Sequence, residues 1–192
     1  MEAPPSPQLH WPRPPDGGWT ADDLDRLPDL PPHTELIDGS LIFKSRQNIF
    51  HTRTVSLVER QLDALAPEGL EVLHEFTIDI DRCNRLEPDV LVVDEDVVDD
   101  PDQTRLPASS VRLAVEVVKP DSVCRDRETK PVKYARAGIP HLWRVEMVGD
   151  GTVAYVYELD PATKAYVATG IFHDRLEVSV PFPIDLDLTE TL

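Results

Sequence analysis

The sequence is poor in the features that define several common protein classes. It has two cysteines, Cys83 and Cys124, and their spacing matches no CxxC-type metal or redox motif. No run approaches the roughly 20 apolar residues of a membrane helix, and the N-terminus lacks the basic and apolar regions of a signal peptide. Glycine-rich phosphate loops, the nucleophile-elbow pattern and HExxH are absent too. We therefore expect a cytoplasmic protein with reduced thiols and no membrane contact.

Positive charge is also scarce. The chain has 19 lysines and arginines against 36 aspartates and glutamates, which gives a formal net charge of −17. Nucleic-acid binding draws most of its affinity from cations that displace counterions, so this charge opposes general adhesion to DNA or RNA. Nucleic-acid binding is still compatible with this net charge if a local basic patch, or a bound divalent cation, makes the electrostatic potential positive at the site.

The length and composition predict one folded domain. A chain of 192 residues with 41% apolar residues can bury one core and is too short for two comfortable ones. Residues 1–18 are rich in proline, which favours an extended, flexible arm. We expect the folded domain at residues 19–183 and an acidic, solvated tail at residues 184–192.

Hydrophobic periodicity predicts a mixed α and β domain in which strands outnumber helices. Thr20 is placed to cap a short helix, residues 49–65 form a clear amphipathic helix, and a third helix ends at Gly138. Asp38-Gly39 between apolar pairs predicts a hairpin. Strands are expected at residues 70–80, 88–93, 113–118, 142–148, 152–158, 165–171 and 176–180, with an exposed connection at 94–110.

Two carboxylates in apolar strands are the strongest functional signal. Glu116 lies within the run 113–118, which is typical of a strand buried on both faces, where an ionised carboxylate is costly unless a cation or donor meets it. Asp89 opens the neighbouring apolar segment, and lysines follow Glu116 downstream. Two acids on adjacent strands beside a lysine are typical of a divalent-metal site for phosphodiester hydrolysis. The alternative is a buried structural ion pair at Glu116 and an Asp89 satisfied by backbone donors.

Six short segments extend this pattern along the chain: Glu35-Leu-Ile-Asp-Gly39, Pro88-Asp89-Val, Val115-Glu116-Val-Val, Asp126-Arg-x-x-Lys130, Tyr134-Ala-x-Ala-Gly-Ile-Pro140 and His141-Leu-Trp143-Arg-Val. In this order they resemble the Uma2 family of restriction endonucleases, over residues 34–182. The resemblance implies a branch of the PD-(D/E)XK nuclease superfamily. It also implies an α+β, restriction-endonuclease-like core, with a central mixed β-sheet flanked by helices and additional C-terminal antiparallel strands.

The resemblance also implies roles for individual residues. It makes Asp89 and Glu116 the ligands of Mg²⁺ or Mn²⁺, Glu35 a further catalytic acid and Lys130 the catalytic lysine. In the parent superfamily the lysine lies two residues after the glutamate, a position that valine occupies here. Lys119 stays a competitor for the role, although strand alternation turns it to the face opposite Glu116.

Three neighbouring residues have two interpretations each. Pro131 disfavours the α region for the residue before it, so Lys130 is expected at the start of a helix. His51 either faces the site or is an ordinary polar residue at a helix start. Tyr134 either packs over the site or fills the core, and we favour the core.

The function expected is divalent-metal-dependent endonuclease activity on nucleic acid, with DNA as the expected substrate; a homodimer is also possible. The basic residues near the site in sequence should then form one face: Arg46, Arg53, Arg125, Arg127, Lys130, Lys133 and Arg136. A non-catalytic nucleic-acid- or protein-binding module on a nuclease-like fold is the alternative that the net charge of −17 favours. Glycoside hydrolysis by the two acids ranks last, because aromatic residues for sugar platforms make up only 6% of the chain.

Overall fold

A computed structural model describes residues 13–191, so most of the arm predicted at residues 1–18 lies outside the described residues. The α-helices are α1 (Ala21–Leu24), α2 (Ile49–Leu65) and α3 (Lys130–Ala137). The strands, in chain order β1 to β13, are Thr34–Ile37, Ser40–Phe43, Leu70–His74, Thr77–Asp81, Asn84–Leu86, Val90–Asp94, Arg105–Pro107, Val111–Val117, His141–Val148, Gly151–Asp160, Ala165–His173, Arg175–Val178 and Ile184–Asp187. Among the described residues, no helix is long and apolar enough to cross a membrane.

A six-stranded mixed sheet forms the centre of the domain. Its strand order is β11-β10-β9-β8-β6-β3, in which β8 and β9 run parallel and the other neighbours run antiparallel. Strand β8 is buried on both faces, as predicted, because an apolar cluster with helix α2 covers one side and a cluster that includes Tyr134 of helix α3 covers the other. Leu113, Val115 and Val117 belong to the apolar cluster on the α2 side, whereas Ala114 belongs to the cluster on the α3 side. Alternation therefore turns Glu116 towards α3.

A second, five-stranded sheet of order β2-β1-β5-β4-β7 lies beside the first. The predicted hairpin at Asp38-Gly39 joins β1 to β2. Both turn residues have positive φ, 48° and 75°, which is the type I′ geometry that this residue pair favours. The hairpin holds Glu35 on β1, where the residue is buried.

The single strand predicted at residues 70–80 is in fact two strands in different sheets. β3 pairs with β6 in the central sheet, and β4 pairs with β5 and β7 in the second sheet. Glu75 makes the break with a left-handed φ of 46°, and its N–H donates to the carbonyl of Asp89 at 3.0 Å. The alternation of polar and apolar residues continues through the break, so the sequence pattern alone does not reveal where one strand ends and the next begins.

Two other segments are more ordered than predicted. The connection at 94–110 contains β7, and Leu106 within it is fully buried against the second sheet. The acidic segment 184–192 includes β13, which pairs with β12. In β13 the aspartates face outwards while Ile184 and Leu186, followed by Leu188, join the central core. The acidic composition concealed this period-two pattern.

The helices agree with the sequence. α1 begins after Thr20, whose N–H and hydroxyl both donate to Asp23. α2 spans the predicted residues 49–65. α3 begins at Lys130, directly after a π-helical turn at Arg125–Thr129, and ends at Gly138 with a left-handed φ of 86°. The prediction that the following proline places Lys130 at a helix start is confirmed.

Candidate functional site

Lys130 and Glu116 meet between α3 and β8. The Lys130 ammonium donates to both carboxylate oxygens of Glu116, at 3.0 and 2.9 Å, and lies 3.0 Å from Oε1 of Glu35. Only 2% of Lys130 and 1% of Glu116 are exposed to solvent. The structure thus brings three of the four predicted site residues into direct contact.

Lys119 lies at the edge of the same cavity and makes different contacts. Its ammonium lies 3.3 and 3.4 Å from the hydroxyl and carbonyl oxygens of Ser45. It forms no ion pair within 4 Å among residues 13–191. Lys130, and not Lys119, is therefore the lysine that converges on Glu116.

Asp89, the fourth predicted residue, lies immediately before β6 and is held by contacts to both of its carboxylate oxygens. Its Oδ2 accepts a 2.7 Å hydrogen bond from the N–H of Val117, and its Oδ1 lies 3.2 Å from Nε2 of His51. Lys44 lies 3.9 Å away on the same side. Burial opposes ionisation, but the hydrogen bond to His51 and the charge of Lys44 outweigh it and lower the pKa of Asp89 to about 2. Asp89 is therefore a carboxylate at neutral pH.

Glu116 has the opposite electrostatic character. Burial raises its pKa to about 8, although the charge of Lys130 opposes this, and the nearby charges of Asp126, Asp89 and Glu35 raise it further. The hydroxyl of Tyr134 donates to Glu116 Oε1. Tyr134 thus fills the core, as favoured from the sequence, and contacts the site as well. The main cause of the raised pKa is therefore the poor solvation of this buried carboxyl.

Two site residues were not singled out from the sequence. Asp126 is 97% buried, lies 3.7 Å from the Lys130 ammonium and accepts a hydrogen bond from Ser122. Its signal was the spacing of four residues before Lys130 on a helical segment. Lys44 follows β2 and donates to the carbonyl of Glu87 at 2.8 Å. A single lysine after a short strand carries no sequence signal for such a role.

These side chains enclose a small cavity with about 20 Å³ of space for the centre of a water molecule. That volume suits one water or one small ion. The residues that line it are Glu35, Lys44, Gln47, His51, Asp89, Glu116, Val117, Lys119, Ser122, Arg125, Asp126 and Lys130. Four are carboxylates, the hard oxygen donors that Mg²⁺ and Mn²⁺ prefer.

The expected single basic face is not formed. Lys130 and Lys133 are both buried, and Lys133 is paired with Asp38. Of the remaining expected residues, Arg125 lines the site cavity, Arg127 and Arg136 line a different one, and the exposed Arg46 and Arg53 line neither. Burial and ion pairing therefore divide residues that lie close together in sequence.

The comparisons with known proteins agree with this architecture. A family model described as "Uma2: Putative restriction endonuclease" matches residues 21–190. The chain is similar to a crystal structure described as a putative nuclease belonging to DUF820 from Anabaena variabilis, with a TM-score of 0.66, 17% identity, and coverage of 90% of this chain and 96% of that one. It also has a weaker similarity to NucC of P. aeruginosa in its cAAA-bound form, with a TM-score of 0.35, 14% identity, and coverage of 65% of this chain and 85% of that one. No curated protein matches the sequence.

Proposed function

Because this chain belongs to the Uma2 family of restriction endonucleases, we propose that it is a divalent-metal-dependent endonuclease that hydrolyses phosphodiester bonds in DNA. The observation that carries the proposal is the buried contact of Lys130 with Glu116 and Glu35, in the cavity that Asp89 also lines. The restriction-endonuclease-like fold is consistent with it.

The donor set fits a Mg²⁺ or Mn²⁺ ion. Among the residues described, no three acidic, histidine or cysteine side chains are already arranged as a metal cluster. Mg²⁺, however, commonly binds through one or two carboxylates and completes its coordination with water and phosphate oxygens. Asp89 and Glu116 are the two carboxylates we assign to it. Both line the small cavity beside Lys130, and their oxygens are the hard donors that such an ion prefers.

When bound, such an ion supplies Lewis-acid polarisation of the phosphate and activation of a water nucleophile. The chain supplies the positions and the charges. The N–H of Val117 and the His51 ring fix the Asp89 carboxylate. Lys130 and Tyr134 fix the Glu116 carboxyl by hydrogen bonds to its oxygens.

Lys130 has a second role in the proposed reaction. Its pKa is raised well above the ordinary value, because the charges of Glu116, Glu35 and Asp126 outweigh the opposing effect of burial. It therefore stays an ammonium, able to stabilise negative charge that develops on the phosphate. The Glu35 carboxylate also contacts this ammonium, and it accepts a 2.9 Å hydrogen bond from the N–H of Glu87. We assign Glu35 to holding Lys130 in place.

One observation favours a second candidate, a non-catalytic nucleic-acid- or protein-binding module. The Lys130 ammonium contacts both Glu116 and Glu35 in the buried interior, which is also how a structural ion pair is built. The net charge of −17 adds to this alternative.

A cleavage assay separates the two candidates. Purified protein is incubated with plasmid DNA, linear duplex DNA or RNA in Mg²⁺, in Mn²⁺ and in EDTA. The proposal expects cleavage of DNA only with metal, and a rate about 10³-fold lower for Glu116→Gln, because metal assistance is worth several kcal/mol. The exposed Glu68→Gln is the matched control and should cleave normally. Folded protein that binds metal but cleaves none of these substrates would favour the non-catalytic module.

A further inference from the structure

A larger cavity lies on the other side of the segment that carries Lys130. It offers about 570 Å³ of space for the centres of water molecules, within the range of small-ligand sites. The π-helical turn and α3 form one wall, while β9, β10 and β11 form the other. Asp126 and Lys130 face the candidate active site, whereas Arg127 and Arg136 of the same segment line this second cavity.

The second cavity concentrates positive charge in an acidic protein. Its cations are Arg127, Arg136, Arg144 and Lys164, and its one lining acid is Glu128. Arg127 and Arg144 share a single buried carboxylate, that of Glu146. Arg136 and Lys164 are exposed, and neither has an acidic partner within 4 Å among residues 13–191. Four cations against two carboxylates leave an excess of positive charge, in a chain whose net charge is −17.

Aromatic and apolar surface completes the lining. Tyr157 and Tyr166 lie on the sheet side, and Leu142 lies at the base. The Arg144 guanidinium lies over the Tyr157 ring, 5.5 Å from its centre, in a cation–π contact. The Tyr166 hydroxyl donates to the carbonyl of Ile139 at 2.8 Å, which fixes the orientation of that ring. Val132, which is 45% exposed, supplies apolar surface at the helix side.

We infer that this second cavity binds a nucleotide through its phosphate and its base. Planar guanidinium groups match the oxygens of a phosphate, and preorganised tyrosine rings and arginine planes stack on bases. The combination of unpaired cations, ordered aromatic rings and this volume fits a nucleoside phosphate better than a purely apolar ligand. Its source is either a free mononucleotide or one unit of a nucleic-acid strand. The inference does not depend on hydrolysis at the candidate active site.

The test is a binding titration of the full chain in EDTA, which silences metal-dependent cleavage. The probes are the nucleoside 5′-monophosphates, a short single-stranded oligothymidylate, and adenosine as the probe without phosphate. Binding is measured by isothermal titration calorimetry for the small probes and by fluorescence anisotropy for the oligonucleotide. A mononucleotide that binds indicates a free nucleotide as ligand, and binding of the oligonucleotide alone indicates a strand. Adenosine should bind at least about 10-fold more weakly than its monophosphate.

The charge-reversal pair Arg136→Glu/Lys164→Glu should raise the Kd of the bound probe at least about 10-fold. The matched control is Arg60→Glu/Arg175→Glu, which changes the net charge equally at two exposed arginines outside the cavity. The variant Glu116→Gln should bind like the original protein, which separates this inference from the proposed function. No binding by any probe, or equal weakening by both charge-reversal pairs, would overturn the inference.

Discussion

The ammonium of Lys130 lies 2.9 Å from Glu116 Oε2, and this contact joins the first residue of α3 to a central strand. Both groups are buried, so the hydrogen bonds between them form in a poorly solvated environment and are costly to break. The contact has two consequences. It determines how the helix docks on the sheet, and it sets the charge of the small cavity.

The first prediction concerns the stability that Lys130 provides. Lys130→Met should lower the free energy of unfolding by about 3–5 kcal/mol, because it leaves buried carboxylates without their cation. Lys133→Met is the matched control. Lys133 is also buried, but its partner Asp38 is 68% exposed and can be solvated, so we expect a loss of about 1 kcal/mol at most. Urea denaturation measures both, and equal losses would show that Lys130 does not neutralise the site.

The second prediction concerns pH and Glu116. The pKa of its carboxyl is about 8 in the fold and 4.5 as the ordinary value, so between these the native state holds a proton that the unfolded chain has lost. The stability contributed by protonation is complete below about pH 4.5 and is lost as pH rises through about 8. Glu116→Gln cannot titrate. Its stability relative to the original protein should therefore increase with pH, by at most about 1.4 kcal/mol per pH unit.

Urea denaturation in EDTA, repeated across this pH range, measures that difference. Glu68→Gln removes an exposed glutamate and should follow the original protein at every pH. A stability difference between Glu116→Gln and the original protein that stays constant with pH would contradict the raised pKa of Glu116.

The third prediction concerns His51 as the partner of Asp89. Burial raises the pKa of Asp89, whereas the hydrogen bond from His51 and the charge of Lys44 lower it. His51→Ala removes that hydrogen bond, so the pKa of Asp89 should rise from about 2 by about one pH unit or more. Carboxyl ¹³C NMR during an acid titration measures it. His74→Ala, at an exposed histidine that contacts Glu59, should leave the Asp89 signal unchanged. An unaltered Asp89 pKa in His51→Ala would contradict this role for His51.

Much of the fold could be predicted because local signals and packing agree. The amphipathic pattern of residues 49–65 and the Asp38-Gly39 turn each specify one conformation. The predictions failed where composition or alternation did not indicate which segments form strands or which sheet a strand joins. Glu75 directs the chain into a second sheet without interrupting the alternation of polar and apolar residues. The segment that forms β13 was predicted to be a solvated tail because its outward-facing residues are acidic.

The candidate site could be predicted in part for a similar reason. A carboxylate inside an apolar strand, as at Glu116, is conspicuous in sequence because it requires compensation. Asp126 carries only the weaker signal of its spacing before Lys130, and Lys44 carries none, because the positions of both depend on how the sheets and helices pack together. The prediction of one basic face was wrong in part because Lys133 forms an ion pair with an aspartate. Proximity in sequence does not predict such ion pairs.

The most direct test of the account is the position of a bound Mn²⁺ ion in crystals, located by its anomalous scattering. The account predicts one peak in the small cavity, with oxygens of both Asp89 and Glu116 at about 2.1 Å, and no such peak in crystals of Asp89→Asn. A Mn²⁺ peak only at other surface acids, or a peak in the cavity that survives in Asp89→Asn, would contradict the assignment of these two carboxylates as the metal ligands.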